Sequence, residues 1–406
     1  MEKKELIEVE APHLIKVEAP QLFGPQMDSS KTTSLHFQFL ENKRIKLCSE
    51  YSADGYFSNV GLTELIIPDA VLINGDEYRI TQIEQYVLSM GFQSIRIPKS
   101  VEEIDVPKCH FYNSALKSIV VSKDNKYYDS RDGCNAIIET RSNKLIYALS
   151  NSFIPNTIKI IGANSFEHCS IESIFIPNSV VEIEDDAFRL CINLVSVTIP
   201  SSVEIIGVNP FGCCINLSSI TVSEDNKYFD SRNNCNAIIV TKENALLSSC
   251  CNTVIPDTID VIKERAFESN HKETLTIPSS VRRIDSFAFI DSRLKKVKIE
   301  GSLIQISRGC FMCSGLLEIK LPEQLESIGN QAFEMCHKLK SVSFPSSLRH
   351  IGFRAFANCK SLKSVTIVNK NAEIHKAAFD NNIIINGKPL DYWYPEEGKY
   401  LNLQKQ

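Results

Sequence analysis

Cysteine is the residue type most able to do chemistry in this chain, and it comes in close pairs: Cys213 with Cys214, Cys250 with Cys251, and Cys310 three residues before Cys313. Thiolates at such spacing suit a soft metal ion or a redox couple. His168 beside Cys169 and His337 beside Cys336 supply the parts of a thiol nucleophile with its base. The register of the cysteines decides against both readings. Three residues after a recurrent Phe stand, in turn, Ser114, Cys169, Cys191, Cys214, Asn270, Ser292, Cys336, Cys359 and Asn382. A column that exchanges Cys for Ser or Asn cannot hold a metal by thiolate, whereas all three side chains can hydrogen-bond a turn backbone from inside. Neighbours in sequence point apart, so the two histidines face solvent while the thiols face inward. Carboxylates are scattered along loops, and neither a G-x-S-x-G elbow, an H-E-x-x-H helix, a Walker loop nor a dinucleotide fingerprint occurs. The expectation is a protein without catalytic, cofactor or metal site.

The elements that carry this column repeat. Successive segments read NSVVEIEDDAFRLCINLVSVTIP, SSVEIIGVNPFGCCINLSSITVS, DTIDVIKERAFESNHKETLTIP, SSVRRIDSFAFIDSRLKKVKIE, GSLIQISRGCFMCSGLLEIKLP, EQLESIGNQAFEMCHKLKSVSFP and SSLRHIGFRAFANCKSLKSVTIV, each 22 or 23 residues long. A fixed period in this range marks stacked supersecondary units. The end of each, such as LVSVTIP, alternates apolar and polar residues with β-branched types, the period-2 signal of a half-buried strand. Pro177, Pro200, Pro278, Pro322 and Pro345 follow the strands, where a missing N–H breaks no ladder bond. Ala187-Phe188, Ala266-Phe267, Ala332-Phe333 and Ala355-Phe356 sit mid-unit on segments too short for an independent helix, read here as one helical or 3₁₀ turn packing Phe inward. The fold class is therefore a repeat solenoid with a parallel β-sheet on one face and short helical or 3₁₀ turns on the other. Ile-Gly pairs at repeat spacing read as turn glycines.

Two coils, 122–155 and 223–256, are longer and match one another at an offset of 101 residues: Asp124 to Arg131 against Asp225 to Arg232, and Cys134 to Ile138 against Cys235 to Ile239. Both continue as strand, polar turn, strand, and each is expected to bulge from the solenoid as a hairpin. Residues 1–33 read as a disordered arm, 34–60 as an N-terminal cap, 61–368 as the repeats and 369–406 as a C-terminal cap and tail.

A formal net charge of −5 over 406 residues sets up no basic field for nucleic acid. Apolar stretches near the start are broken by Glu, Lys, Pro or Gln, so neither a secretory segment nor membrane insertion is expected. Fourteen cysteines, several in one repeated slot, favour a reducing compartment.

The repeated units resemble the BspA-like, treponeme-type leucine-rich repeat in their order of Ile-Pro, Ser-Val, Ile-Gly, Ala-Phe, Cys and closing strand, over residues 61–380. The Asp-Ser-Arg and Cys-Asn-Ala-Ile-Ile inserts resemble those of members from gut and oral bacteria. The resemblance implies a leucine-rich-repeat right-handed superhelix, and a cell-surface or secreted protein associated with adhesion to matrix proteins or other cells. A binding scaffold for a protein or glycan partner follows, with a passive structural spacer as the alternative.

Recognition would then fall to the outward strand positions, most of them small and polar. Val120, Phe153 and Phe175 depart from that pattern in three consecutive coils and form the candidate contact stripe, with Arg96 in the same column and Ser118, Asn151 and Ser173 alongside. Lys296, Lys298 and Lys320 form a second candidate cluster.

Overall fold

The computed structural model describes residues 14–16, 35–49, 64–73, 75–89, 92–105, 116–395 and 398–404. It divides into two compact units, Met1–Cys169 and Ser170–Gln406. Each is a parallel-stacked β-solenoid, as the period-2 strand ends dictate. In the first unit Glu64–Ile66, Ser94–Ile97 and Ser118–Val121 pair in parallel, one strand per coil. The second repeats the arrangement with Ser196–Ile199 on Ser219–Val222, Thr274–Ile277 on Lys296–Ile299, and Glu318–Lys320 on Ser341–Ser343. Alternate residues such as Val197, Ile199, Leu275 and Ile277 are buried. Proline acts twice in the coils that carry it. It ends the strand, and the carbonyl of Pro177, Pro278 or Pro322 accepts the N–H of Val180, Val281 or Leu325 three residues on, at 3.0–3.1 Å, which turns the chain into the next coil.

A second parallel ladder, unforeseen in the sequence, runs through the isoleucines. Gln305–Ile306, Ser327–Ile328, His350–Ile351 and Glu373–Ile374 stack in register, and the four isoleucines are fully buried. This corrects the reading of the Ile-Gly pairs. Gly329 has no positive φ; a Cβ there would stand 2.8 Å from the backbone nitrogen of Arg308, so glycine is needed for close approach between coils.

The Phe-bearing segments of the standard coils are non-helical turns, a second correction. Phe333 lies between Gln331 and Met335, both at φ 60°, and Phe356 between Arg354 at 55° and Asn358 at 59°. A left-handed residue costs about 1–2 kcal/mol, but here the alternation aims successive N–H groups along the stack. Gln331, Phe333 and Met335 donate to the carbonyls of Phe353, Ala355 and Ala357 in the next coil, at 2.7–2.8 Å. A helical turn would have closed those bonds within one coil. The rings of Phe267, Phe289, Phe311, Phe333, Phe356 and Phe379 consequently stack with centroids 5.0–5.3 Å apart.

The inserts are hairpins, Ala136–Glu139 with Lys144–Ala148 and Ala237–Val240 with Ala245–Ser249. They do not bulge outward. Ile137, Ile138, Leu145 and Tyr147 are buried, and the second strand of each hairpin pairs in parallel with the following coil at Ile160–Ile161 or Val261–Ile262. Strands apolar on both faces belong inside a stack. Asp129 locks the first insert: Arg131 donates to it through Nε at 2.7 Å and Nη2 at 2.5 Å, Thr140 donates at 2.9 Å, and Arg131 Nη1 reaches Asn143 at 2.7 Å. Asp230, Arg232, Thr241 and Asn244 repeat the lock.

At the start of the first unit, Leu35–Leu40 and Arg44–Ser49 form a hairpin, and Arg44–Ser49 pairs with Asp76–Ile83. The three-residue strand Leu14–Lys16 pairs with Leu35–Leu40, inside the segment read from sequence as disordered. The remainder of residues 1–33, and residues 50–63, lie outside the described residues. At the chain's end Leu390–Trp393 forms a 3₁₀ helix, Trp393 Nε1 donates to the Ile385 carbonyl at 3.0 Å, and Leu401 N–H returns to Ile374 at 2.8 Å. Trp393, Leu401 and Leu403 thereby cover the last coil.

Candidate binding face

The outward positions of the first unit begin as a regular ladder. Glu64, Ser94 and Ser118 are in register, as are Ile66, Arg96 and Val120. Arg96 Nε donates to Glu64 Oε1 at 2.7 Å, which lays the guanidinium across the sheet, and Val120 beside it is 43% exposed. There the ladder stops. The N–H groups of Ile119 and Val121, which would donate to a following strand, donate to Asn135 Oδ1 at 2.8 Å and Ser130 Oγ at 3.0 Å. Side chains of the insert stand in place of strand carbonyls.

Asn151 and Phe153 lie beyond that interruption. Asn135 Nδ2 donates to Asn151 Oδ1 and to the Lys117 carbonyl, both at 2.7 Å, and Asn151 Nδ2 reaches the same carbonyl at 3.1 Å. Asn151 is thus tied to the Lys117 carbonyl, next to Ser118, both directly and through Asn135. Phe153 donates its N–H to the Cys134 carbonyl at 3.4 Å and is 47% exposed, so the hairpin leaves it uncovered. The first unit therefore presents Arg96 and Val120 as neighbours, with Phe153 outward on the far side of residues 134–135. Expected spacing on one uninterrupted ladder does not describe them, because 122–155 inserts its own backbone between the strands.

Ser173 and Phe175 belong to the second unit. Ser173 bridges to Ser196, and Phe175, two residues on, is 75% exposed on a face otherwise made by Thr198 and Thr221, whose hydroxyls are 2.9 Å apart. Val254 stands where Phe153 stands in the first insert: its N–H donates to the Cys235 carbonyl at 3.0 Å, and it is 65% exposed. Sequence reading passed over Val254 because valine alone is an ordinary strand residue. The 101-residue offset was the signal that could have found it.

Lys296, Lys298 and Lys320 line one shallow depression together with Glu300 and Glu318. Lys298 Nζ is 2.6 Å from Glu300 and Lys296 Nζ is 3.4 Å from Glu318. Among the described residues Lys320 has no carboxylate partner. Two of the three charges are therefore compensated, and the cluster is a mixed surface rather than a cationic one.

The cysteine column runs inside the coils. Cys214, Cys336 and Cys359 donate to the carbonyls of Phe188, Phe311 and Phe333 in the preceding coil, at 3.0–3.1 Å, and Asn270 Nδ2 donates to the Cys250 carbonyl at 2.8 Å. Ser314 occupies the same place after Phe311, while Ser114 lies outside the described residues. Burial pushes the thiols of Cys169 and Cys336 up to about 12 and those of Cys213 and Cys313 up to about 11, so they stay protonated at neutral pH. His337 Nδ1 meets the Asn358 carbonyl at 2.8 Å while Cys336 faces Phe311, and the pair points apart. Among the described residues no group of three or more His, Cys, Asp or Glu side chains could hold a metal ion, and no helix is long and apolar enough to cross a membrane.

A model of the BspA type leucine-rich repeat region matches six copies over residues 54–132, 138–251 and 242–352. Among solved structures, the fold is similar to a leucine-rich cell surface protein from Faecalibacterium prausnitzii, at 22% identity and a TM-score of 0.53, over 86% of this chain and 95% of that one. It is also similar to the pneumococcal vaccine antigen PcpA, at 17% identity and a TM-score of 0.51, over 93% and 94% of the two chains. No curated protein sequence matches the chain.

Proposed function

The chain belongs to the BspA-type leucine-rich repeat family, and from that premise we propose that it is a non-catalytic scaffold whose outward strand face takes a protein or glycan partner, in a role related to adhesion. The observation that carries this reading is the exposure of large apolar side chains on a face otherwise built of small polar and charged residues, with Phe175 at 75% as its extreme. Apolar surface in water costs about 25 cal/mol per Å², and an aromatic retained there suits an interface centre with a polar rim. Contact across many coils needs no reacting group, in keeping with the protonated, inward thiols. The similarity to a bacterial cell surface protein and a vaccine antigen supports a surface role.

The test immobilises the chain and passes matrix proteins and a glycan array over it, comparing the native protein with Phe153→Ser, Phe175→Ser and their combination. A ligand bound by the native protein and lost from the variants, with unchanged melting, supports the reading. A chain that binds nothing in any form is a passive spacer.

A further inference from the structure

The two inserts offer an internal comparison, because each position occurs twice in one chain. Most of the duplicated segment has a structural task. Asn125 Nδ2 donates to the carbonyls of Pro98 and Val101 at 2.8–2.9 Å, and its Oδ1 accepts the N–H groups of Tyr127 and Tyr128. Asn226 does the same with Pro200, Val203, Tyr228 and Phe229. Asp129, Ser130 and Arg131, with their counterparts, lock the insert. Positions without such a task have diverged: Lys123 became Glu224 and Asp132 became Asn233. Even the buried Tyr128 became Phe229. The exceptions are Asp124, Lys126 and Tyr127, repeated as Asp225, Lys227 and Tyr228. Both tyrosines are 46% exposed, and among the described residues neither these lysines nor these tyrosines make a side-chain bond, ion pair or ring contact.

In the first unit Lys126 and Tyr127 wall a depression of about 420 Å³ on whose other sides stand Glu77, Arg79, Lys99 and Asp124. Arg79 is 3.6 Å from Glu102 and Lys99 is 3.8 Å from Asp69, which leaves Glu77, Asp124, Lys126 and the Tyr127 hydroxyl uncommitted among the described residues. Acidic and basic groups are nearly balanced here, so neither a polyanion nor a polycation is selected. An aromatic plate beside free acceptors and donors matches a ring that is apolar on one face and carries hydroxyls, able to donate and accept, around its edge.

We propose that Tyr127, with Lys126, Asp124 and Glu77, forms a binding site for an uncharged sugar residue of a polysaccharide, the pyranose ring lying on the tyrosine and its hydroxyls meeting the charged groups. The site uses none of the outward strand residues, so it stands or falls apart from the sheet-face reading.

The full chain is titrated by calorimetry with cellohexaose, mannohexaose, maltohexaose and chitohexaose, and with a heparin hexasaccharide as the anionic arm. At least one neutral hexasaccharide binds, Tyr127→Ala weakens it about tenfold or more without moving the melting curve, and Tyr127→Phe retains most of the affinity. The proposal is overturned if no neutral hexasaccharide binds, if heparin alone does, or if Tyr127→Ala binds as the native protein does.

Discussion

The thiol of Cys336 donates to the carbonyl of Phe311, one coil earlier, at 3.0 Å. The same carbonyl accepts the N–H of Ser314 at 3.1 Å, so one oxygen closes its own turn and ties that turn to the next. Serine at this position keeps a donor of similar size, and Cys336→Ser is expected to leave the urea midpoint nearly unchanged. Cys336→Leu overfills a fully buried turn and removes the tie between the two coils, at a cost of about 1–3 kcal/mol. Equal loss in the two variants would remove the bond from the account.

Thiol labelling follows from the same burial. Cys169, Cys336 and Cys359, buried and with raised pKa, are expected to react with a thiol reagent only in urea. Mass spectrometry of the native protein after brief labelling checks this; modification of those three before unfolding would contradict it.

The stacked rings and the exposed ones should separate cleanly in energy. Phe333, fully buried between Phe311 and Phe356, is expected to cost roughly 3–5 kcal/mol on truncation to Ala. Phe153→Ser and Phe175→Ser should stay within about 1 kcal/mol. Urea unfolding of the three variants measures the contrast, and comparable losses would place those two rings in a core.

Acid should loosen the inserts. Burial opposes ionisation of Asp129 and Asp230, but bonds from Arg131 with Thr140, and from Arg232 with Thr241, outweigh it and hold both pKa values below the ordinary carboxylate range. Their stabilisation is complete above the unfolded-state pKa of about 3.9 and disappears as pH falls through the lower folded-state values. Asp230→Asn is expected to destabilise at pH 7 and to flatten the acid limb of the stability curve. A parallel downward shift at every pH would refute the assignment.

Whole coils should be the unit of deletion within the second unit. Removing the 23 residues Pro177 to Ile199 restores strand against strand, whereas removing eleven sets strand against turn. Circular dichroism melting should show cooperative unfolding only for the first.

Alternation in segments such as LVSVTIP, the proline after it and the recurring Phe were enough to reveal parallel coils with one buried ring each, because period and polarity are local properties of the chain. The Cys, Ser and Asn column was legible for the same reason, since interchange among small polar residues records a shared environment without any coordinates. Which bonds those residues make was not legible. The left-handed pair around Phe333, the isoleucine ladder and the close approach at Gly329 exist only once a second coil lies at van der Waals distance, and no residue type announces them. The interruption between Val120 and Phe153 was likewise a tertiary decision: Ser130 and Asn135 are unremarkable polar residues until their oxygens meet the free N–H groups of Val121 and Ile119. A repeat specifies its own coil, while the contacts of an edge depend on what the fold lays beside it.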